Sequence, residues 1–362
     1  MNKIVSFYDL TEDMQNRLLL FHVKSKEVTR RSKGFSGNIV MMDNGEGVFP
    51  RQVAAKYPIL SDALGHGEVA RRFVREMKLQ AAMHYHPNVH WPFDVTLLIG
   101  TPVAFFRRWR GDLSDLIEDP DVSDDERLSI LIQVLAGLIH CQTRGVVCHQ
   151  DLKPENIFIR DFRTDFADLN SEHLPLKPLI ADFGSVNLFL EADVFEGSRP
   201  YMAPEQWDKM PLSEHTSVFA VGIMLHELIS RGEHPVGEHG GDWHREVKPA
   251  FGRWQRNKYW RRWKEAGCPV ARPLDDADLA KIVARCLEPE PSNRPDLAEL
   301  QCLLLDTLRS RSPDAAERVN LYLNVWATHV SDPDWEHLNQ RITALDQAVL
   351  SHYGSAAHAS IG

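Results

Sequence analysis

The chain runs to 362 residues, long enough to bury a substantial core in two or so folding units, and 43% hydrophobic against 25% charged residues is a globular balance rather than a disordered one. Its formal net charge of −10, from 41 basic and 51 acidic residues, argues against a general nucleic-acid binder, whose affinity comes from releasing phosphate counterions to a positive face, while leaving room for a local basic patch. Five scattered cysteines, odd in number and without a C-x-x-C pair, argue against a disulfide framework or a zinc site and predict a reducing, cytoplasmic setting.

The opening residues, with Asp9, Glu12 and Asp13, lack the continuous apolar core of a signal peptide. Strands are predicted at 24–31, 37–42 and 52–57, the last two joined in part by the turn Asp43-Asn44-Gly45-Glu46-Gly47. Residues 68–83 have helical spacing, with Val69, Phe73 and Met77 on one stripe, and a further strand pair is predicted at 91–98 and 102–106. From about Gly111 the pattern turns helical, at 128–140, 218–230 and 278–286. No segment approaches the ~20 apolar residues that span a bilayer, so no membrane partner is expected. Even the most apolar run, 218–229, is broken by His226 and Glu227 and predicts a buried helix. Two amphipathic patterns follow at 315–329 and 334–351. Their apolar side chains, among them Leu338, Ile342, Leu345 and Val349, exceed what two short helices bury alone, so residues 313–362 are expected to pack on the helical part.

Phosphoryl transfer asks for a carboxylate that orients the attacking hydroxyl and takes its proton, a cation that neutralises the moving phosphoryl group, and a metal ligand close by. The run Cys148-His149-Gln150-Asp151-Leu152-Lys153-Pro154-Glu155-Asn156 holds all three residue types. It resembles the catalytic loop of eukaryotic-type (Hanks-type) serine/threonine protein kinases, H-R-D-x-K-x-x-N in its essentials. The resemblance implies Asp151 as base, Lys153 as cation and Asn156 as magnesium ligand. Behind it, Leu179-Ile180-Ala181-Asp182-Phe183-Gly184 is similar to the family's D-F-G, which makes Asp182 the second magnesium ligand. The 25 residues between Asn156 and Asp182 are more than a short hairpin needs, and 161–177 is expected to be a polar surface insertion. Gly197-Ser198-Arg199-Pro200-Tyr201-Met202-Ala203-Pro204-Glu205 resembles the shelf that receives a protein substrate, and implies a buried pair between Glu205 and Arg294.

With these anchors the first hundred residues can be read. Val53-Ala54-Ala55-Lys56 is similar to the strand V-A-x-K, placing Ala54 at the nucleotide and Lys56 over its α- and β-phosphates, with Glu76 as the helical partner ahead of His86-Pro87-Asn88-Val89. Ser32-Lys33-Gly34-Phe35-Ser36-Gly37-Asn38-Ile39 matches two of the three glycines of a phosphate-covering loop, which makes Gly34, Gly37 and Ile39 nucleotide contacts. The hinge that grips adenine is expected around Phe105 and Arg107, with Asp112 reaching the ribose. The resemblance covers about residues 28–308. It implies an α+β, bilobal kinase fold: an N-lobe over 1–106, a C-lobe over 107–310 and a helical extension over 311–362. ATP and Mg2+ would sit in the cleft, and the γ-phosphate would pass to Ser or Thr of a protein substrate.

Three residues depart from the family pattern: Ser32 for a glycine, Gln150 for the arginine before the catalytic aspartate, and Ser217 for a helix aspartate that holds the catalytic loop. Residues 186–197 contain no Ser, Thr or Tyr, so activation without phosphate on this segment is expected. A pseudokinase scaffold and a small-molecule kinase remain as alternatives. Segment 243–264, with Trp243, Trp254, Trp260 and Trp263 among eight basic residues, reads either as a docking surface for an acidic protein or as a helix with tryptophans in the core and a solvated basic face. The second reading is the favoured one.

Overall fold

Along β3, Val53, Ala55 and Tyr57 alternate with Ala54 and Lys56, and the strand's period of two sends these sets to opposite faces of a sheet. The computed structural model describes residues 6–33, 37–48, 50–60, 65–165, 174–187, 190, 195, 197–237, 257–327 and 333–354. The chain divides into two units. Unit 1 comprises 1–85, 91–109 and 330–362; unit 2 comprises 86–90 and 110–329.

Unit 1 is built on an antiparallel sheet of β1 (Glu27–Lys33), β2 (Asn38–Asp43), β3 (Gln52–Tyr57), β4 (Asp94–Leu98) and β5 (Thr101–Arg107), in the order β1-β2-β3-β5-β4. One face buries Val40, Met42, Val53, Ala55, Tyr57, Val103 and Phe105 beneath Phe7 and Leu19. Leu19 comes from α1 (Glu12–Val23), a helix whose first turn is capped by Thr11. The other face carries Val95, Ala104 and Phe106 against α2 (His66–Ala82) and the last helix, α9 (Pro333–Tyr353).

Unit 2 holds a three-stranded sheet of β6 (Gly111–Asp112), β7 (Ile157–Asp161) and β8 (Leu176–Ile180). Around it lie α3 (Asp124–Thr143), α4 (Glu214–Ile229), α5 (Asn257–Glu265), α6 (Ala277–Cys286), α7 (Leu297–Arg311) and α8 (Pro313–Ala327). Helices α3 and α4 are buried nearly all round, as their unbroken apolar runs require. A capping box between Ser123 and Glu126 starts α3. The mixed α+β expectation is met, with the sheet-rich part first and the helical part after it.

The structure corrects two expectations and, for two of the four tryptophans of segment 243–264, agrees with the favoured core reading. The last fifty residues do not pack as one piece on the helical part: α8 lies on α7 and α3 of unit 2, whereas α9 lies on α2 and β4 of unit 1. The insertion does not begin as solvated loop. Asp161 ends β7 buried, accepting from Arg110 at 2.6 Å and from Arg163 at 3.0 Å, and a helical turn, Phe162–Asp165, follows; residues 166–173 lie outside the described residues. Trp260 and Trp263 are buried, edge-to-face with each other and with His234, so these two are core residues; Trp243 and Trp254 lie outside the described residues. Among the described residues, no helix is long and apolar enough to cross a membrane.

Candidate active site

In unit 2 the loop between α3 and β7 brings together the groups singled out by the sequence. Asp151 is their hub. Its Oδ2 accepts from Lys153 Nζ at 2.8 Å, its Oδ1 accepts the Ser198 N–H at 2.7 Å, and its carbonyl accepts from Asn156 Nδ2 at 2.7 Å. Lys153 Nζ also donates to Ser198 Oγ at 2.7 Å. Ser198 is thus tied to both Asp151 and Lys153, a role its place in the G-S-x-x-Y run did not disclose. A backbone bond from Ala181 N to Asn156 O, 2.9 Å, holds Asp182 beside Asn156.

The backbone here is bent where side chains seldom allow it. Gln150 and Asp182 have φ of 65° and 60°, left-handed values that cost a non-glycine residue roughly 1–3 kcal/mol and cluster at functional sites. Neighbouring bonds hold them. Gln150 Nε2 donates to Ser185 O at 2.6 Å, Gln206 Nε2 donates to Gln150 O at 2.8 Å, and the Gln150 N–H points to Cys148 Sγ at 3.3 Å. Gly197 closes on the same place: a Cβ there would sit 2.8 Å from Gln150 O. Among the described residues Ser217, by contrast, reaches Cys148 Sγ, 3.9 Å away, and Gln206 holds the loop backbone where the family pattern puts a helix aspartate. Burial lowers the pKa of His149; the neutral ring donates from Nε2 to Ala181 O at 3.0 Å and lies edge-on to the buried Phe183. One imidazole thereby joins the catalytic-loop and D-F-G segments.

Below this loop, Glu205 and Arg294 form two parallel bonds of 2.8 and 3.0 Å, both side chains buried. Thr216 adds a bond to Glu205 at 2.8 Å, and Tyr201 donates to Glu227 at 2.8 Å in the same interior. These contacts fix the run from Ser198 to Glu205.

In unit 1, Lys56 Nζ donates to Glu76 Oε1 at 2.6 Å, each side chain 12% exposed. Ile39 lies opposite Lys56 on β2, and Ala54 is two residues before it, so all three share one sheet face. Gly37 is needed for close approach, since a Cβ would lie 3.0 Å from Tyr57 O and 3.2 Å from the Lys56 side chain; Gly34 lies outside the described residues. Phe105 is not a hinge residue. It pairs with Ala55 inside β5, stacks on His22 at 4.9 Å under α1, and its carbonyl accepts from Phe93 N. The strand predicted at 102–106 already includes Phe105, and the observed strand runs on to Arg107, so the hinge expectation overlaps the strand's end. Arg107 is the last residue of β5. Asp112, in unit 2, caps the turn Leu113–Leu116 through Ser114 N at 3.0 Å, and burial raises its pKa.

A sheet lysine paired with a helix glutamate in one unit and an H-x-D loop joined to D-F-G in the other are the features of the protein kinase family. Residues 49–303 match the protein kinase domain family, and the chain belongs to it. It is 29% identical over 193 residues to Wee1-like protein kinase 2-A of Xenopus laevis, covering 47% of this chain and 33% of that protein. It is 24% identical over 244 residues to the serine/threonine-protein kinase/endoribonuclease IRE1 of Oryza sativa subsp. japonica, covering 60% and 24%. The probable serine/threonine-protein kinase KCC4 of Saccharomyces cerevisiae is 32% identical over 163 residues, covering 43% and 14%. The chain therefore spans a third or less of the length of these relatives.

Proposed function

We propose that this chain is an ATP-dependent serine/threonine protein kinase that acts without phosphate on its activation segment. One observation carries the reading: Asp151 lies within a single hydrogen bond of Lys153 and Asn156, a cation and a metal-ligand type that phosphoryl transfer needs around its base. In this reading Asp151 orients the Ser or Thr hydroxyl of a protein substrate and accepts its proton. Lys153 neutralises charge on the transferred group. Lys56, kept in place by Glu76, engages the α- and β-phosphates. Ile39 and Ala54 line the purine side, with the stretch just after Phe106 gripping adenine.

The donor chemistry fits magnesium. The Asp182 carboxylate is a hard oxygen donor, and Asn156, whose Nδ2 is committed to the Asp151 carbonyl, has Oδ1 left as its acceptor. Bound there, the ion would neutralise charge on the phosphates. Gln150 supports independence from phosphate, because it holds Ser185 O with a neutral amide where the family pattern has an arginine to receive a phosphoryl group. Much of 186–197 lies outside the described residues, but its sequence offers no hydroxyl to modify. Five free thiols, four of them buried, accord with a cytoplasmic setting.

Asp151→Asn tests the assignment. Turnover on a generic protein substrate should fall about 10²–10⁴-fold, while magnesium-ATP still raises the melting temperature as in the parent. Near-parental turnover would reject Asp151 as base, and a parent without any nucleotide shift at millimolar ATP would favour the pseudokinase scaffold. Phosphatase-treated protein should keep its activity; a tenfold loss restored by autophosphorylation of the segment would reject that part of the reading.

A further inference from the structure

We propose that α9, the last helix of the chain, is a built-in positioning element that holds α2 so that Glu76 meets Lys56. This deepens the kinase reading and rests on it. Leu338, Ile342, Leu345 and Val349 recur at helical spacing on α9 and are all buried in one cluster with Ala70, Phe73, Val74, Met77 and Ala81 of α2. They make up four of the cluster's twelve buried members, so the core that fixes α2 is built in large part from α9. The same cluster includes Ala104, the cross-strand neighbour of Lys56 on β5. Glu76 adjoins Met77, which is fully buried there. A shift of α2 therefore moves the Glu76 carboxylate directly.

Helix α9 is also anchored independently of α2. Arg341 Nη2 pairs with Asp94 at 2.6 Å and donates to Val95 O at 3.3 Å, and Tyr353 donates to Gly100 O at 2.7 Å. On α2, Lys78 pairs with Asp346. Two glycines make room for the helix end: a Cβ on Gly67 would lie 3.0 Å from Tyr353, and one on Gly100 would clash with His352. Helix α9 thus bridges β4 and the β4–β5 turn to the outer side of α2. A group held in this way keeps the fraction of an ångström on which phosphate positioning depends, since a misplacement of about 1 Å from a remote change can cost 10²-fold in rate.

The test uses the full chain carrying Ile342→Ala and Leu345→Ala, with Leu345→Ala alone as a milder variant should the pair fail to fold. Amide hydrogen exchange is followed in α2, α9 and, as reference, α3 of unit 2, and steady-state transfer is measured well below the melting temperature. The proposal expects exchange in α2 to rise at least tenfold with α3 unchanged. It also expects kcat/KM for ATP to fall at least tenfold, and Ile342→Leu with Leu345→Met to restore both. Faster exchange in α9 with α2 and kcat/KM at parental values would overturn it, leaving α9 as mere cover. A parent without transfer activity would reject the kinase reading instead, and the exchange data would still decide whether α9 holds α2.

Discussion

Two ion pairs in this molecule are built for different ends. Glu205 and Arg294 in unit 2 meet through two parallel bonds at 5% and 0% exposure, and Arg294 directs its remaining donors to the carbonyls of His215, Glu288 and Pro289. Lys56 and Glu76 in unit 1 meet at 2.6 Å with 12% exposure each, the ammonium being a compact point charge on a flexible stem. A forked, fully desolvated guanidinium is locked to one carboxylate. A partly solvated ammonium can be shared with a second anion. In the proposed reading, similar charges therefore serve structure in one unit and ligand binding in the other.

Breaking the two pairs should give unequal results. Arg294→Met leaves Glu205 buried and uncompensated, and chemical denaturation should register a loss of about 3–5 kcal/mol. Gln206→Ala, which strips Gln150 O of its donor, should cost about 1–3 kcal/mol in the same measurement and lower turnover, because the catalytic loop loses a backbone tether. Lys56→Met should lower the unfolding free energy less than Arg294→Met does, yet abolish the magnesium-ATP thermal shift; a loss as large as that of Arg294→Met would mean that this pair is structural too. A different kind of effect lies in pH dependence. Burial pushes His86 down to about 3, and its Nδ1 accepts from Asn88 N. The unfolded chain takes up this proton near pH 6.5, which the fold refuses until about 3, so stability should decline as pH falls through that window. His86→Phe should flatten the slope between pH 7 and 5, and an unchanged slope would remove His86 as its source.

Legibility in the sequence followed chemistry more closely than packing. Lys56, Glu76, Asp151, Lys153, Asn156 and Asp182 could be picked out because phosphate chemistry constrains residue type and spacing, and the strands around Lys56 alternate cleanly. The hinge expectation at Phe105 overlapped the predicted strand 102–106, because no residue type there marks where the strand ends. Helix α1 was missed because Leu18, Leu19, Leu20 and Phe21 form a continuous apolar run without a 3.6-residue stripe, although only Leu19 among them is fully buried. The stripe on α9 was visible, but amphipathicity says that a helix has a partner, not which one. Both cores of unit 1 extend beyond the family-matched residues 49–303, to Phe7 and Leu19 on one face and to Leu338–Val349 on the other. Those residues belong to the fold of this chain rather than to the pattern its family shares.

The distribution of thiols has a practical side. Burial pushes Cys141, Cys148, Cys268 and Cys286 up to about 12, so at neutral pH these four stay protonated and shielded, including the one inside the catalytic loop. Cys302, on α7, is the exposed member of the five. A maleimide fluorophore should therefore enter the native protein once, at Cys302, leaving Cys148 untouched. The natural sequence already offers a single attachment point for optical measurements, with no cysteine to remove first.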